Sequence, residues 1–70
     1  MARFSITGLF EDGTKFYRFF DDENEAARKY DAFLRFSTMR MNINLWRLED
    51  SVLMKHHYQL DDADYKRLGI

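Results

Sequence analysis

Residues Asp22 to Ser37 read DENEAARKYDAFLRFS, and the fold follows from them. Ala26, Ala27, Tyr30, Phe33, Leu34 and Ser37 recur at spacings of three, four and seven, which stack side chains along one side of a helix. Opposite them lie Asn24, Glu25, Arg28, Asp31, Ala32 and Arg35, a face for water. Glu25 precedes Lys29 by four residues and Asp31 precedes Arg35 by four, the favourable order for surface ion pairs. Asp21 or Asp22 can accept the free N–H groups of the first turn, and Asp22 with Glu25 has capping-box spacing. Neither Gly nor Pro closes the segment, so its end is expected between Ser37 and Met39, where the apolar stripe stops. Phe36 falls off the stripe and has no obvious place in a core.

On the N-terminal side, Arg3 to Phe20 alternates as two strands about Asp12-Gly13, a strong hairpin signal because both residues tolerate positive φ. A two-residue loop pairs Glu11 with Thr14. That register puts Phe4, Ile6, Gly8 and Phe10 on a core face with Lys15, Tyr17 and Phe19, and Ser5, Thr7 and Leu9 on the other face with Phe16, Arg18 and Phe20. Gly8 then lies across from Tyr17, whose ring can cover the gap left by the missing side chain. A three-residue loop would set Arg18 across from Ile6, and is disfavoured for that reason.

On the C-terminal side, Met41 to Leu48 and Val52 to Leu60 alternate about Glu49-Asp50. Pairing Leu48 with Ser51 places Met41, Ile43, Leu45, Val52, Met54, His56 and Tyr58 on the core face. It leaves Asn42, Asn44, Trp46, Leu48, Leu53, Lys55, His57 and Gln59 on the other. From Leu60 onwards, Asp61 and Asp64 have capping-box spacing, Leu60 and Tyr65 the spacing of a hydrophobic staple, and Gly69-Ile70 suits a Schellman stop. A last helix of about two turns follows, too short to persist unless it docks.

The expected class is α+β in one domain over residues 1–70: strand hairpin, helix, strand hairpin, short helix, with a four-stranded sheet carrying the central helix on one face. In order and length of elements, residues 3 to 60 resemble the β-grasp domains of the protein G and protein L type (ββαββ). The resemblance is architectural and implies no binding activity. Whether strands one and four form a central parallel pair is left open. The halves also echo one another, Phe10-Glu11-Asp12 with Leu48-Glu49-Asp50 and Phe20-Asp21-Asp22 with Leu60-Asp61-Asp62, although turns and helix caps both recruit aspartate.

Composition narrows the function. The 70 residues contain 11 Lys plus Arg against 12 Asp plus Glu, for a net charge of −1, so bulk charge marks neither a nucleic-acid binder nor an acidic mimic of one. Cysteine is absent, which removes disulfides and thiol chemistry. MARFSITGLF does not read as a signal peptide and no apolar run approaches a membrane span, so a soluble cytoplasmic protein is expected. At 46% hydrophobic and 17% aromatic residues the chain can build a small core, of the kind that leaves roughly 3–5 kcal/mol of net stability.

No residue pattern carries catalysis. His56 and His57 are adjacent on a strand and point to opposite faces, so they cannot chelate one ion. Asp61, Asp62 and Asp64 lack the glycine and terminal ligand of a calcium loop and are read as capping residues. No catalytic residue, cofactor or metal is assigned. What remains is surface: Leu9, Phe16, Phe20, Trp46, Leu48 and Leu53, with Arg18 and Lys55, lie on the sheet face the central helix does not cover. The C-terminal helix can shield part of that face with Tyr65, Leu68 and Ile70. The rest is expected to bind another protein or a second copy of the chain, Trp46 as anchor. The alternative is a single-stranded nucleic-acid platform, with bases stacking on Phe16, Phe20 and Trp46 and phosphates at Arg18 and Lys55. Small cysteine-free, proline-free domains with aromatic surfaces resemble accessory proteins of bacteriophages that inhibit host or defence proteins. The resemblance implies a non-catalytic inhibitor acting by direct contact.

Overall fold

The computed structural model describes residues Met1–Ile70. Elements run β1 (Phe4–Phe10), β2 (Lys15–Phe20), α1 (Glu23–Phe36), β3 (Met41–Arg47), β4 (Val52–Tyr58) and α2 (Asp62–Leu68). This is the expected α+β class with ββαββ order, a helix packed on a four-stranded sheet and a short C-terminal helix. The pairing that the sequence left open is β2-β1-β3-β4, antiparallel throughout. The central pair is β1 with β3, and β4 lies on an edge.

α1 begins and packs as its sequence dictates. Asp22 caps it, accepting the Glu25 N–H at 2.9 Å, and Ala26 and Tyr30 are buried with Phe33 and Leu34 packed beside them. The helix ends at Phe36 because Ser37 turns extended, its hydroxyl donating to the Met39 carbonyl at 2.9 Å. A serine side chain thus replaces the missing glycine stop. The other half of the core comes from Phe4 and Ile6 of β1 and Met41, Ile43 and Leu45 of β3, all buried.

The first hairpin does not have its expected register. Phe4 pairs with Phe20, Ile6 with Arg18 and Gly8 with Phe16, so the loop has three residues, Glu11, Asp12 and Gly13. Gly13 alone in this loop takes a positive φ, +91°. Its N–H donates to the Phe10 carbonyl at 2.9 Å, and the Phe10 N–H to that of Thr14 at 2.8 Å, the pattern of a turn followed by a glycine bulge. Asp12 stays at negative φ and accepts the Thr14 N–H at 2.9 Å, which a two-residue loop would not allow.

The consequence is an exchange of faces along β2. Phe16 and Phe20 lie on the helix side, Phe16 buried and stacked with Phe10 and Phe33 at ring separations of 5.1 and 4.7 Å. Tyr17 and Phe19 take the open side, where they are 59% and 64% exposed. The objection to placing Arg18 across from Ile6 fails because β2 is an edge strand. Its helix-side positions have solvent beside them, and Arg18 turns back to donate to the Tyr17 carbonyl at 2.8 Å.

In the second hairpin the pairs nearest the turn are as expected, Arg47 with Val52 and Trp46 with Leu53. Leu48 and Ser51 belong to the turn itself, Ser51 at φ +55°. A β-bulge between Leu45 and Trp46 then leaves Met54 without a partner and sets Lys55 opposite Leu45. Both face the helix: Met54 packs on the core, and the Lys55 ammonium lies 5.8 Å from the Tyr30 ring centre. Beyond the bulge every side chain is inverted relative to simple alternation. Lys55 and His57 are therefore on the helix side, His56 and Tyr58 on the open side.

α2 has the capping box read from Asp61 and Asp64, and closes in a Schellman motif, Ile70 N–H to the Tyr65 carbonyl at 3.1 Å and Gly69 N–H to that of Lys66 at 3.2 Å. Ile70 does not return onto the fold; it is exposed. Docking rests on Asp64, which is buried. Arg40 donates to its two oxygens at 2.7 and 2.8 Å, and Arg67 adds a third bond at 2.9 Å. Arg40 also pairs with Glu11 at 3.0 Å, so one guanidinium ties the first turn to the last helix. No helix of the chain is long and apolar enough to cross a membrane.

Candidate functional site

Strand register arranges the uncovered face as three rows running from β2 to β4. The first is Phe19, Ser5, Trp46 and Leu53; the second Tyr17, Thr7, Asn44 and His56; the third Lys15, Leu9, Asn42 and Tyr58. α2 reaches only the third row, where Asn42 donates to the Tyr65 hydroxyl. Asn42 is fully engaged there, its oxygen accepting the Gln59 and Leu60 N–H groups at 3.0 Å each. The first row is at the far end from this contact and is left bare.

That first row is apolar apart from Ser5, which is itself buried between its neighbours on adjoining strands. Phe19 stands high at one end and Leu53, 37% exposed, at the other. Trp46 lies half-buried between them with its indole N–H donating to the Thr7 hydroxyl at 3.2 Å. Asn44 donates to the same oxygen at 3.4 Å and accepts from the Tyr58 hydroxyl at 2.6 Å. Thr7 and Asn44, the inner residues of the middle row, thus form a polar network that holds the Trp46 and Tyr58 rings in place. Rings fixed before contact lose little side-chain entropy when a partner covers them.

The structure brings together some of the expected site residues and separates the rest. Trp46, Leu53 and Leu9 are on the open face as expected, Leu9 at the α2 end. Leu48, 39% exposed, lies in the turn beyond Trp46. Phe16 and Phe20 are not on this face, because the three-residue loop turns them inward. Arg18 and Lys55 are not on it either: the same loop moves Arg18, and the Met54 bulge moves Lys55, each to the helix side of its edge strand. Simple alternation misses Tyr17, Phe19, His56 and Tyr58. Gly8 carries the one signal that could have found the first pair, since Phe16 fills a strand gap better than Tyr17, whose hydroxyl would need a partner.

The ionisable groups of the face, Lys15, Tyr17, His56 and Tyr58, sit at its margins on the two edge strands. His56 stacks beside Tyr58 at 4.9 Å and is exposed. No three His, Cys, Asp or Glu side chains are grouped to hold a metal ion. No known protein family, curated protein or solved structure matches the chain.

Proposed function

We propose that the protein is a non-catalytic binding module that docks another protein on the open sheet face, with the Phe19, Trp46 and Leu53 row as its centre. The observation that carries this reading is that row: two aromatic rings and a leucine aligned across the sheet with Ser5 between Phe19 and Trp46, unshielded by α2, with Trp46 held by its hydrogen bond to Thr7 in the next row. Trp and aromatic anchors surrounded by small and polar groups are the composition of interface hot spots. Action would be steric or competitive, as in a phage-encoded inhibitor of a host or defence protein, and a second copy of the chain is the other protein that could occupy the face.

Two features direct the contact to the face rather than the sheet edges. On β2 the Arg18 side chain occupies the Tyr17 carbonyl, and on β4 the Met54 bulge interrupts the strand. Both obstruct addition of a further strand. The nucleic-acid alternative loses its phosphate contacts when Arg18 and Lys55 leave the face, since Lys15 alone gives little charge neutralisation.

The test is sedimentation equilibrium over a wide concentration range, followed by capture from cells of the source, for wild type and Phe19→Asp. The reading expects an assembly or a discrete captured protein with wild type that is lost in a folded Phe19→Asp. A variant that associates and captures unchanged would refute it.

A further inference from the structure

On the opposite side of the molecule a pocket of about 440 Å³ lies between the second half of α1, the end of β1 and the loop of residues 37–39. Its size is that of small-molecule sites. Phe10, Phe33, Phe36 and Met39 supply most of its wall. Phe10 and Phe33 flank the Phe16 ring, so this part of the wall is continuous with the core. Phe36, which has no place in the core, stands at the pocket 74% exposed.

Lys29 is the one charged residue lining the pocket. The surface pair expected between Glu25 and Lys29 does not form: the ion pairs of the protein involve Arg40, Arg47 and Arg67. The ammonium is therefore uncommitted, while the stem of Lys29 can lie along apolar wall and present the charge at the rim. Lys29 also lies seven residues before Phe36, the last residue of α1. An anion there avoids the negative end of the helix dipole, whose influence is confined to the last turn.

We propose that this pocket binds a small apolar carboxylic acid, its hydrocarbon or aryl body against Phe10, Phe33 and Phe36 and its carboxylate at Lys29. A single-headed acid suits the site because one cation, the Ser37 and Thr38 hydroxyls at one end and an otherwise apolar wall are what the pocket offers. A peptide would bring a row of backbone donors and acceptors for which the flank of α1 has no partners. The assignment is independent of the open sheet face and stands or falls apart from it.

Octanoate is the probe, titrated into the isotopically labelled protein below its micelle-forming concentration, with 1-octanol and octylamine as comparisons of equal chain length. Saturable amide shifts confined to Phe10 and residues 29–39 are expected for octanoate, with octylamine binding least. Lys29→Gln should weaken octanoate about tenfold, the scale of one charge-assisted hydrogen bond, and leave octanol unchanged. Ala32→Trp, which fills the pocket from its helical wall, should abolish both. Circular dichroism checks that each variant is folded, and the octanoate to octanol ratio in Lys29→Gln decides the matter if Ala32→Trp does not fold. Shifts that do not saturate, shifts centred on Phe19 and Trp46, or equal binding of acid, alcohol and amine would overturn the proposal.

Discussion

The ring of Phe16 lies in the space that a side chain on Gly8 would occupy: a Cβ built on Gly8 would collide with Phe16 Cε1. The two residues are cross-strand partners on the helix side of the sheet. This one fit selects the three-residue loop, buries Phe16, and sends Tyr17 and Phe19 to the open face. Gly8→Ala cannot be accepted without moving the ring, and overpacking of this kind costs about 1–3 kcal/mol. Urea unfolding should show that loss in wild type and a smaller one in a Phe16→Leu background, where the Gly8 gap is less filled.

Phe16 and Phe19 test the register more bluntly. Phe16→Ala removes a buried ring that holds Phe10 and Phe33, at a cost of about 3–5 kcal/mol, comparable with the whole stability of a domain this small. Phe19→Ala removes an exposed one and should change stability by less than about 1 kcal/mol. The two-residue loop predicts the reverse order, so thermal unfolding of the two variants separates the registers.

The Arg40 guanidinium holds the Asp64 carboxyl well below the usual carboxylate range, assisted by the Asp61 N–H and by Arg67. A carboxyl lowered in the folded state contributes stability that is complete above its unfolded pKa of about 4 and is lost as the pH falls towards the folded value. Stability should therefore fall on acidification below about pH 4. Asp64→Asn should be less stable at neutral pH and show a flatter acid limb in melts recorded from pH 7 to 2. Arg40→Lys should not restore the wild-type limb, because an ammonium cannot make the bidentate contact.

Deleting Met54 removes the residue that has no cross-strand partner. Pairing then runs without interruption in the register of Arg47 with Val52, and Lys55 stays opposite Leu45 on the helix side while His56 and Tyr58 stay on the open face. The Tyr58 to Asn44 hydrogen bond and the nuclear Overhauser contacts between the Tyr30 ring and the Lys55 side chain should persist, with only the core packing of Met54 lost. Transfer of the Tyr30 contacts from Lys55 to His56 would show that Met54 is not the extra residue and that the bulge does not set the face of β4.

Where a local pattern decides, the sequence was legible. The stripe through Ala26, Tyr30 and Phe33, the caps at Asp22 and Asp61, and the alternation of Met41, Ile43 and Leu45 each involve neighbours a few residues apart. They give the elements, their order and half of the core. β2 and β4 are edge strands whose own alternation is ambiguous, because Arg18, Lys55 and His57 can reach water from either face. Their side chains are assigned by non-local events, the seating of Phe16 on Gly8 and the bulge at Met54. That is why Trp46, Leu9 and Leu53, which are set by β1, β3 and the second turn, were placed correctly on the open face, while Phe16, Phe20, Arg18 and Lys55 were not. The first of these events brings Phe19 into line with Trp46, the centre of the proposed interface.

The most direct test of that interface is site-specific photocrosslinking, with benzoylphenylalanine placed at Phe19 on the open face or at Arg28 on the outer face of α1, in cells of the source organism. A discrete protein adduct from position 19, absent from position 28 and lost when Leu53→Asp is added, is the result the proposed function predicts. Adducts from position 28 alone, or the same adducts from both positions, would contradict it.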